Sequence, residues 1–261
     1  MHFIIIGKAH LKWLVPVFII AGFLIARLFF PAEPVYKDRA YWEKTGSIVW
    51  DVAIKDKMIA LTFDDGPSPT FTGPVLDLLG KYHAKATFFT IGAQAEKFPA
   101  MIRRMIQEGH EIGNHTHLHQ EIPGMSENEL TSDLIRSHRV IQRIAGVNMK
   151  LFRPTSGFYN NTVVKVAHAM NYLVVIWTWG QDSRDWTPIS GKAIAQKIIR
   201  SIKPGYIILF HDQGGNRRNT IEALEIILPS LQARGFQCVT VSTLITRARR
   251  RHSSQASSAV K

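Results

Sequence analysis

From Ser47 to Val241 the chain alternates between short apolar runs and amphipathic stretches of helical period, and few folds accept that alternation. Residues 48–54 and 58–63, joined by Lys55-Asp56-Lys57, read as an opening hairpin that leads into the first core strand. Residues 74–83 predict a helix, with Val75, Leu76, Leu78 and Leu79 inward and a proline near its start. A strand at 86–91, a helix at 99–108 ended by Gly109 and a short strand at 110–113 follow. Ser126 and Glu129 make a capping box for a long helix reaching about Ala145. Strands at 151–153, 173–179, 206–210 and 236–241 then alternate with helices at 162–170, 192–202 and 221–234, the last broken or kinked near Pro229. The strands are short and almost continuously apolar, as strands covered on both faces are. The fold class is therefore α/β, a barrel of about seven parallel strands wrapped by helices.

A barrel of this kind places its chemistry at the C-terminal ends of its strands. The first core strand ends in Asp64-Asp65, and the third is followed by Asn114-His115-Thr116-His117-Leu118-His119. The fourth runs into Arg153-Pro154-Thr155-Ser156-Gly157, the fifth is followed by Asp182-Ser183-Arg184-Asp185-Trp186, and the sixth ends in His211-Asp212. Charged and imidazole groups thus gather on one predicted face, where chance would scatter them over two. Asp64 and Asp65 before Gly66-Pro67 suit a turn by residue type. They also suit a site in which one carboxylate holds a cation and the other handles a proton. His115 and His119, four apart, share one side of a helical turn, and two imidazoles with a carboxylate make a three-ligand metal site with an open position. His117 then points elsewhere, although on an extended segment His115 and His117 would pair instead. His83, His110, His138 and His168 read as solvent-facing, and Trp177 and Trp179 as strand core rather than a sugar groove.

The stretches TFDDGP (62–67), HTHLH (115–119), RPTSG (153–157), DSRDW (182–186) and LFH (209–211) resemble, in order, the motifs of polysaccharide deacetylases. That family is carbohydrate esterase family four, the NodB homology domain, and the resemblance spans roughly Val49 to Ile245. It implies a distorted (β/α) barrel in which Asp65, His115 and His119 bind a divalent metal, usually zinc, with cobalt another option. It further implies that Asp64 is the general base, that Arg153 orients it, and that His211 is the general acid. Asp185 would partner either His211 or Arg153. Trp186 and Leu209 would wall the pocket for the acetyl methyl, and the Ser156 backbone N–H would help to stabilise the oxyanion. The third motif departs from the usual pattern, with Thr155 where a second proline is common and Ser156 where tyrosine or another residue stands.

Those roles answer the needs of amide hydrolysis at neutral pH. A metal brings the pKa of its water from about 15.7 to near 7. An amide anion will not depart, so the leaving nitrogen must be given a proton by an acid opposite the base. The implied substrate is an N-acetylated amino sugar of a wall polysaccharide, peptidoglycan first. Other acetylated substrates on the same fold, such as acetylxylan, chitin oligomers or small amides, are the rivals. A glycan-binding protein with a dead site is disfavoured because both acids, both ligand histidines, Arg153 and His211 are all present.

The remaining segments concern location. Residues 13–26, WLVPVFIIAGFLIA, carry no charge, and Leu28-Phe29-Phe30 extend the run past Arg27 to about 18 apolar residues, near the lower limit for a spanning helix. Lys8 and Lys12 before it argue for an N-terminus inside and the remainder outside. A cleaved signal peptide is the alternative, but Arg27-Leu28-Phe29-Phe30-Pro31 is a poor cleavage site. The expected organisation is an anchor or signal at 1–30, a linker at 31–46, the catalytic domain at 47–246 and a basic, Ser-rich disordered tail at 247–261. The single cysteine, Cys238, excludes an internal disulfide and any Cys-based zinc site. The net charge of +12 is partly that of the tail, which suits anionic lipid or wall polymers; export disfavours nucleic acid.

Overall fold

The computed structural model describes residues 38–258, with side chains to Arg250. Its strands are β1 (Ile48–Val49), β2 (Met58–Asp64), β3 (Ala86–Thr90), β4 (Glu111–Asn114), β5 (Leu151–Phe152), β6 (Leu173–Val175), β7 (Ile207–His211) and β8 (Gln237–Cys238). All pair in parallel, in the order β1-β6-β5-β4-β3-β2-β7, with β8 beside the start of β2. The curled sheet is closed only by irregular bonds. Residues 176–183 run on from β6 beside β7, where Thr178 N–H donates to Ile207 O and Leu209 N–H to Gln181 O. Parallel α/β architecture was legible in the sequence, and the distortion is this patched seam.

Alternation along β2 sorts its side chains. Ile59, Leu61 and Phe63 face the helices, where Phe63 stacks between Phe88 and Phe210 at 5.1 and 5.8 Å. Ala60 faces the barrel interior with Phe89, Leu151, Val175 and Ile207. Val241 and Leu244, on a helix over Val241–Ser258, join that inner cluster and plug it. Thr62 and Asp64 continue the inward row, so the strand that anchors the core below also delivers a carboxylate above.

Several elements differ from expectation. The opening hairpin does not form: β1 is two residues long and pairs with β6, Ile48 opposite Val174, while Val52 N–H donates to Gly205 O. A distant partner with a buried register outcompetes the local turn. A helix at Arg39–Thr45 buries Trp42 within the stretch read as linker. The last strand stops at Cys238 because residues 241–248 carry their apolar side chains at helical spacing, and that helix continues through 247–258, the stretch read as a disordered tail. The helix Arg218–Ala233 runs through Pro229 without a break. The capping box of Glu127–Ala145 is present on both sides, Ser126 Oγ accepting from Glu129 N–H. Burial pushes the Cys238 thiol up to about 12, which keeps it protonated. Among the described residues no helix is long and apolar enough to cross a membrane, and the apolar run at 13–30 lies outside them.

Candidate active site

The cleft opens where the inward row of β2 ends. Asp64 is the last residue of that strand, and Asp65 adopts a left-handed conformation (φ 74°) that turns the chain sharply. Aspartate tolerates this backbone region better than most residues. Gly66 follows because nothing larger fits: a Cβ there would lie 2.3 Å from both carboxylate oxygens of buried Asp212.

The histidines converge through a loop rather than a helical turn, which corrects the expected geometry. Thr116 (φ 67°) and His119 (φ 55°) take left-handed conformations, and the turn is held by Thr116 N–H to Asn114 Oδ1 and His119 N–H to Thr116 Oγ1. His115 Nδ1 lies 2.7 Å from the Arg153 carbonyl oxygen, which aims its Nε2 into the cleft. His115 Nε2 and His119 Nε2 stand 3.4 and 3.1 Å from Asp65 Oδ1. His117 is not a ligand candidate. It is 1% exposed, its N–H donates to Asp133 Oδ1, and its Nε2 is 4.0 Å from Glu96 on the other side of the loop. Burial and nearby Arg136 push its imidazole down, toward the neutral form.

The three donors fit a divalent cation. Ligands about 2.1 Å from a tetrahedral ion lie roughly 3–3.5 Å apart, the spacing of Asp65 Oδ1 from both imidazoles. Asp65 Oδ1 is also buried without a hydrogen-bond donor, an orphan that a cation satisfies. Burial works against the Asp65 carboxylate, yet the two imidazoles outweigh it and hold it below the usual carboxylate range.

Beside this triad stands Asp64. Its Oδ1 accepts from Arg153 Nη1 at 2.7 Å, and its Oδ2 is left 3.8 Å from His115 Nε2. Arg153 is fully buried, donating also to Thr62 Oγ1, Val175 O and Ile176 O, with its guanidinium 4.1 Å above the Phe89 ring. A buried guanidinium this constrained fixes the position of the Asp64 carboxyl group.

His211 ends β7, the register partner of Asp64 on the neighbouring strand. Its Nδ1 is 2.7 Å from Asp185 Oδ1, while Asp185 Oδ2 accepts from His211 N–H and Thr220 Oγ1. Asp185 therefore pairs with His211, not with Arg153. Burial alone would push the imidazolium down, but Asp185, aided by Asp64 and Asp65, raises it to about 9. That shift favours the imidazolium at neutral pH, with Nδ1 held by Asp185.

The cleft, of about 360 Å³, is also lined by Ser156, Trp186 and Leu209. Ser156 is left-handed (φ 55°) in the single turn Thr155–Gly157. Four further residues line the cleft that the sequence does not mark as part of a site: Gly157, Trp177, Asp182 and Arg217. Trp177 packs against the core cluster and also lines the cleft, and a Cβ on Gly157 would meet its ring at 2.6 Å. Trp179, also read as core, is 87% exposed. His110, read as solvent-facing, is buried with Nδ1 accepting from Ala86 N–H, and burial pushes it down to about 4. Only the position of Arg217, six residues beyond His211 after a Gly-Gly pair, hinted at a strand-end role.

Two buried charge pairs, Asp64–Arg153 and Asp185–His211, beside a triad that fits a cation at the strand ends of a parallel barrel, are an arrangement suited to hydrolysis. The comparisons give the family. Polysaccharide deacetylase sequences match residues 51–175. A peptidoglycan-N-acetylglucosamine deacetylase of Bacillus cereus is 41% identical over 203 residues, covering 78% of this chain and 95% of that protein. The crystal structure of a peptidoglycan N-acetylglucosamine deacetylase in complex with an N-hydroxybenzamide matches with TM-score 0.77 and 33% identity, over 81% of this chain and 98% of that one. A family 4 acetyl xylan esterase from Clostridium thermocellum, solved with a cobalt ion, matches with TM-score 0.67 and 38% identity, over 73% and 91%. The chain belongs to the polysaccharide deacetylase family.

Proposed function

We propose that this chain removes N-acetyl groups from N-acetylglucosamine residues of peptidoglycan, with a divalent cation, zinc first, held by Asp65, His115 and His119. The observation that carries the reading is the two pairings beside that triad: Asp64 fixed by Arg153, and His211 fixed by Asp185. A dication in this donor set activates water and polarises the scissile carbonyl. Asp64 Oδ2, the oxygen that Arg153 leaves free, takes the proton of the attacking water. His211 Nε2, charged because Asp185 holds Nδ1, gives a proton to the departing nitrogen. Ser156, Trp186 and Leu209 line the cleft; the Ser156 backbone N–H would stabilise the developing oxyanion, and Trp186 and Leu209 would confine the acetyl methyl.

The substrate assignment is supported by the Bacillus cereus relative, whose name specifies that sugar. Likeness to the acetyl xylan esterase favours one second reading, hydrolysis of an O-acetyl ester on the same site. The apolar run at 13–30 supports a single membrane anchor with the catalytic domain outside the cytoplasm, and the arginines at 247 and 249–251 suit an anionic surface. The test is acetate release by the full-length chain from purified peptidoglycan, chitin oligomers and acetylxylan, with and without chelator. Chelator-sensitive acetate together with new free amines on peptidoglycan supports the proposal; acetate from xylan without amine formation replaces it with the esterase.

A further inference from the structure

Two charged residues line the cleft without a part in the steps above, Asp182 and Arg217. Asp182 has a local task, since its Oδ1 accepts from Arg184 N–H. Arg217 is different. It is only 5% exposed, yet among the described residues no carboxylate lies within ion-pair distance of it. Its bonds go to neutral acceptors: Nε donates to Gln213 O and Nη2 to Gly214 O, both at 2.8 Å. Those bonds pin it against the loop that overhangs the cation site. A Cβ on Gly214 would lie 3.1 Å from Arg217 Nη2 and equally 3.1 Å from Asp65 Oδ2.

A buried cation without a counter-charge is costly, and the cost falls when an anion arrives. The guanidinium keeps N–H donors beyond the two already used, in a rigid planar fork that matches a carboxylate. In peptidoglycan the sugar next to each N-acetylglucosamine carries a lactyl ether whose carboxyl group is amide-linked to the peptide where one is attached and is a free carboxylate where the peptide has been removed, whereas chitin has no such substituent. We propose that Arg217 is the specificity-determining cation of the cleft, binding a carboxylate carried by the sugar adjacent to the one being deacetylated. The inference rests on the deacetylase reading and adds to it a preference for carboxylate-bearing glycans over neutral ones.

The experiment compares kcat/KM on two tetrasaccharides of N-acetylated amino sugars. One is a peptide-free alternating strand with free lactyl carboxylates; the other is neutral chitotetraose. The full-length zinc-loaded chain, R217Q and R217K are assayed. The ratio of the two constants is independent of the active fraction, so partial misfolding of a variant does not blur it. Expected is a natural preference for the carboxylate-bearing strand, reduced in R217Q by roughly tenfold or more, with R217K between. A ratio unchanged in R217Q overturns the proposal, whether both constants fall together, as for a residue that only pins the loop, or neither falls. Acetate is titrated as an inhibitor in parallel. If R217Q weakens acetate inhibition while the ratio holds, the carboxylate is the product's and the glycan assignment is overturned. Acetate release from neither sugar overturns the deacetylase reading and this inference with it.

Discussion

Asp64 Oδ1 and Arg153 Nη1 lie 2.7 Å apart inside the barrel, and Asp64 Oδ2 points away from that bond toward the cleft. One oxygen is fixed and the other is free, which is the division a general base requires. The pair sits where the inward rows of the strands change from apolar to polar, with the Phe89 ring beneath the guanidinium.

Breaking that pair from the arginine side should be felt as stability as well as rate. Arg153→Gln leaves Asp64 buried beside a neutral partner, and removing one member of a buried ion pair costs about 3–5 kcal/mol. Urea unfolding should show a lower midpoint with an unaltered slope. A midpoint equal to that of the natural chain would mean that Asp64 is solvated in a way its burial does not indicate.

The pH dependence follows from His211. A general acid must be protonated, so turnover should fall as pH rises through the imidazolium's pKa, raised to about 9 mainly by Asp185 against the opposing effect of burial. A dication on Asp65 cancels one of the weaker attractions, which places the limb of the loaded enzyme at or below that value. Asp185→Asn removes the carboxylate and leaves burial in place, so the pKa falls and the alkaline limb moves to lower pH. A pH–rate profile with an unmoved limb would detach Asp185 from the acid.

Gly66 gives a purely steric prediction. An added Cβ at 2.3 Å from both Asp212 oxygens must displace one of them. Gly66→Ala should cost about 1–3 kcal/mol, the range for forcing an extra carbon into a packed site. Asp212→Ala in the same chain should return part of that cost, and a double-mutant cycle measures the coupling. Additive effects would show that the two residues do not collide.

The strand ends were readable because a parallel barrel concentrates its functional groups there, so position along the sequence stands in for position in space. Asp64, Asp65, His115, His119, Arg153, Asp185 and His211 could all be placed on one face by that argument alone. The partner of Asp185 could not be, since Arg153 and His211 are equally plausible along the chain. Loop geometry was less legible still: the histidines meet because Thr116 and His119 adopt positive φ, which no spacing rule announces. The hairpin misreading at β1 has a related cause, for its hydrogen-bond partner, β6, lies more than a hundred residues away. Arg217 escaped notice because one of two adjacent arginines in a polar loop resembles any solvated surface group.

The central claim is that adjacent aspartates divide the work, Asp65 holding the cation and Asp64 moving the proton. It is tested most directly by measuring activity and bound metal for Asp64→Asn, Asp65→Asn and His211→Ala across a zinc titration. Asp64→Asn should keep its metal and lose turnover by roughly 10²–10⁴-fold, the range for general acid–base groups, at every zinc concentration. His211→Ala should likewise retain metal. Asp65→Asn should bind metal weakly and recover part of its activity as zinc is raised. Rescue of Asp64→Asn by zinc, with Asp65→Asn fully loaded and inactive, would contradict the account.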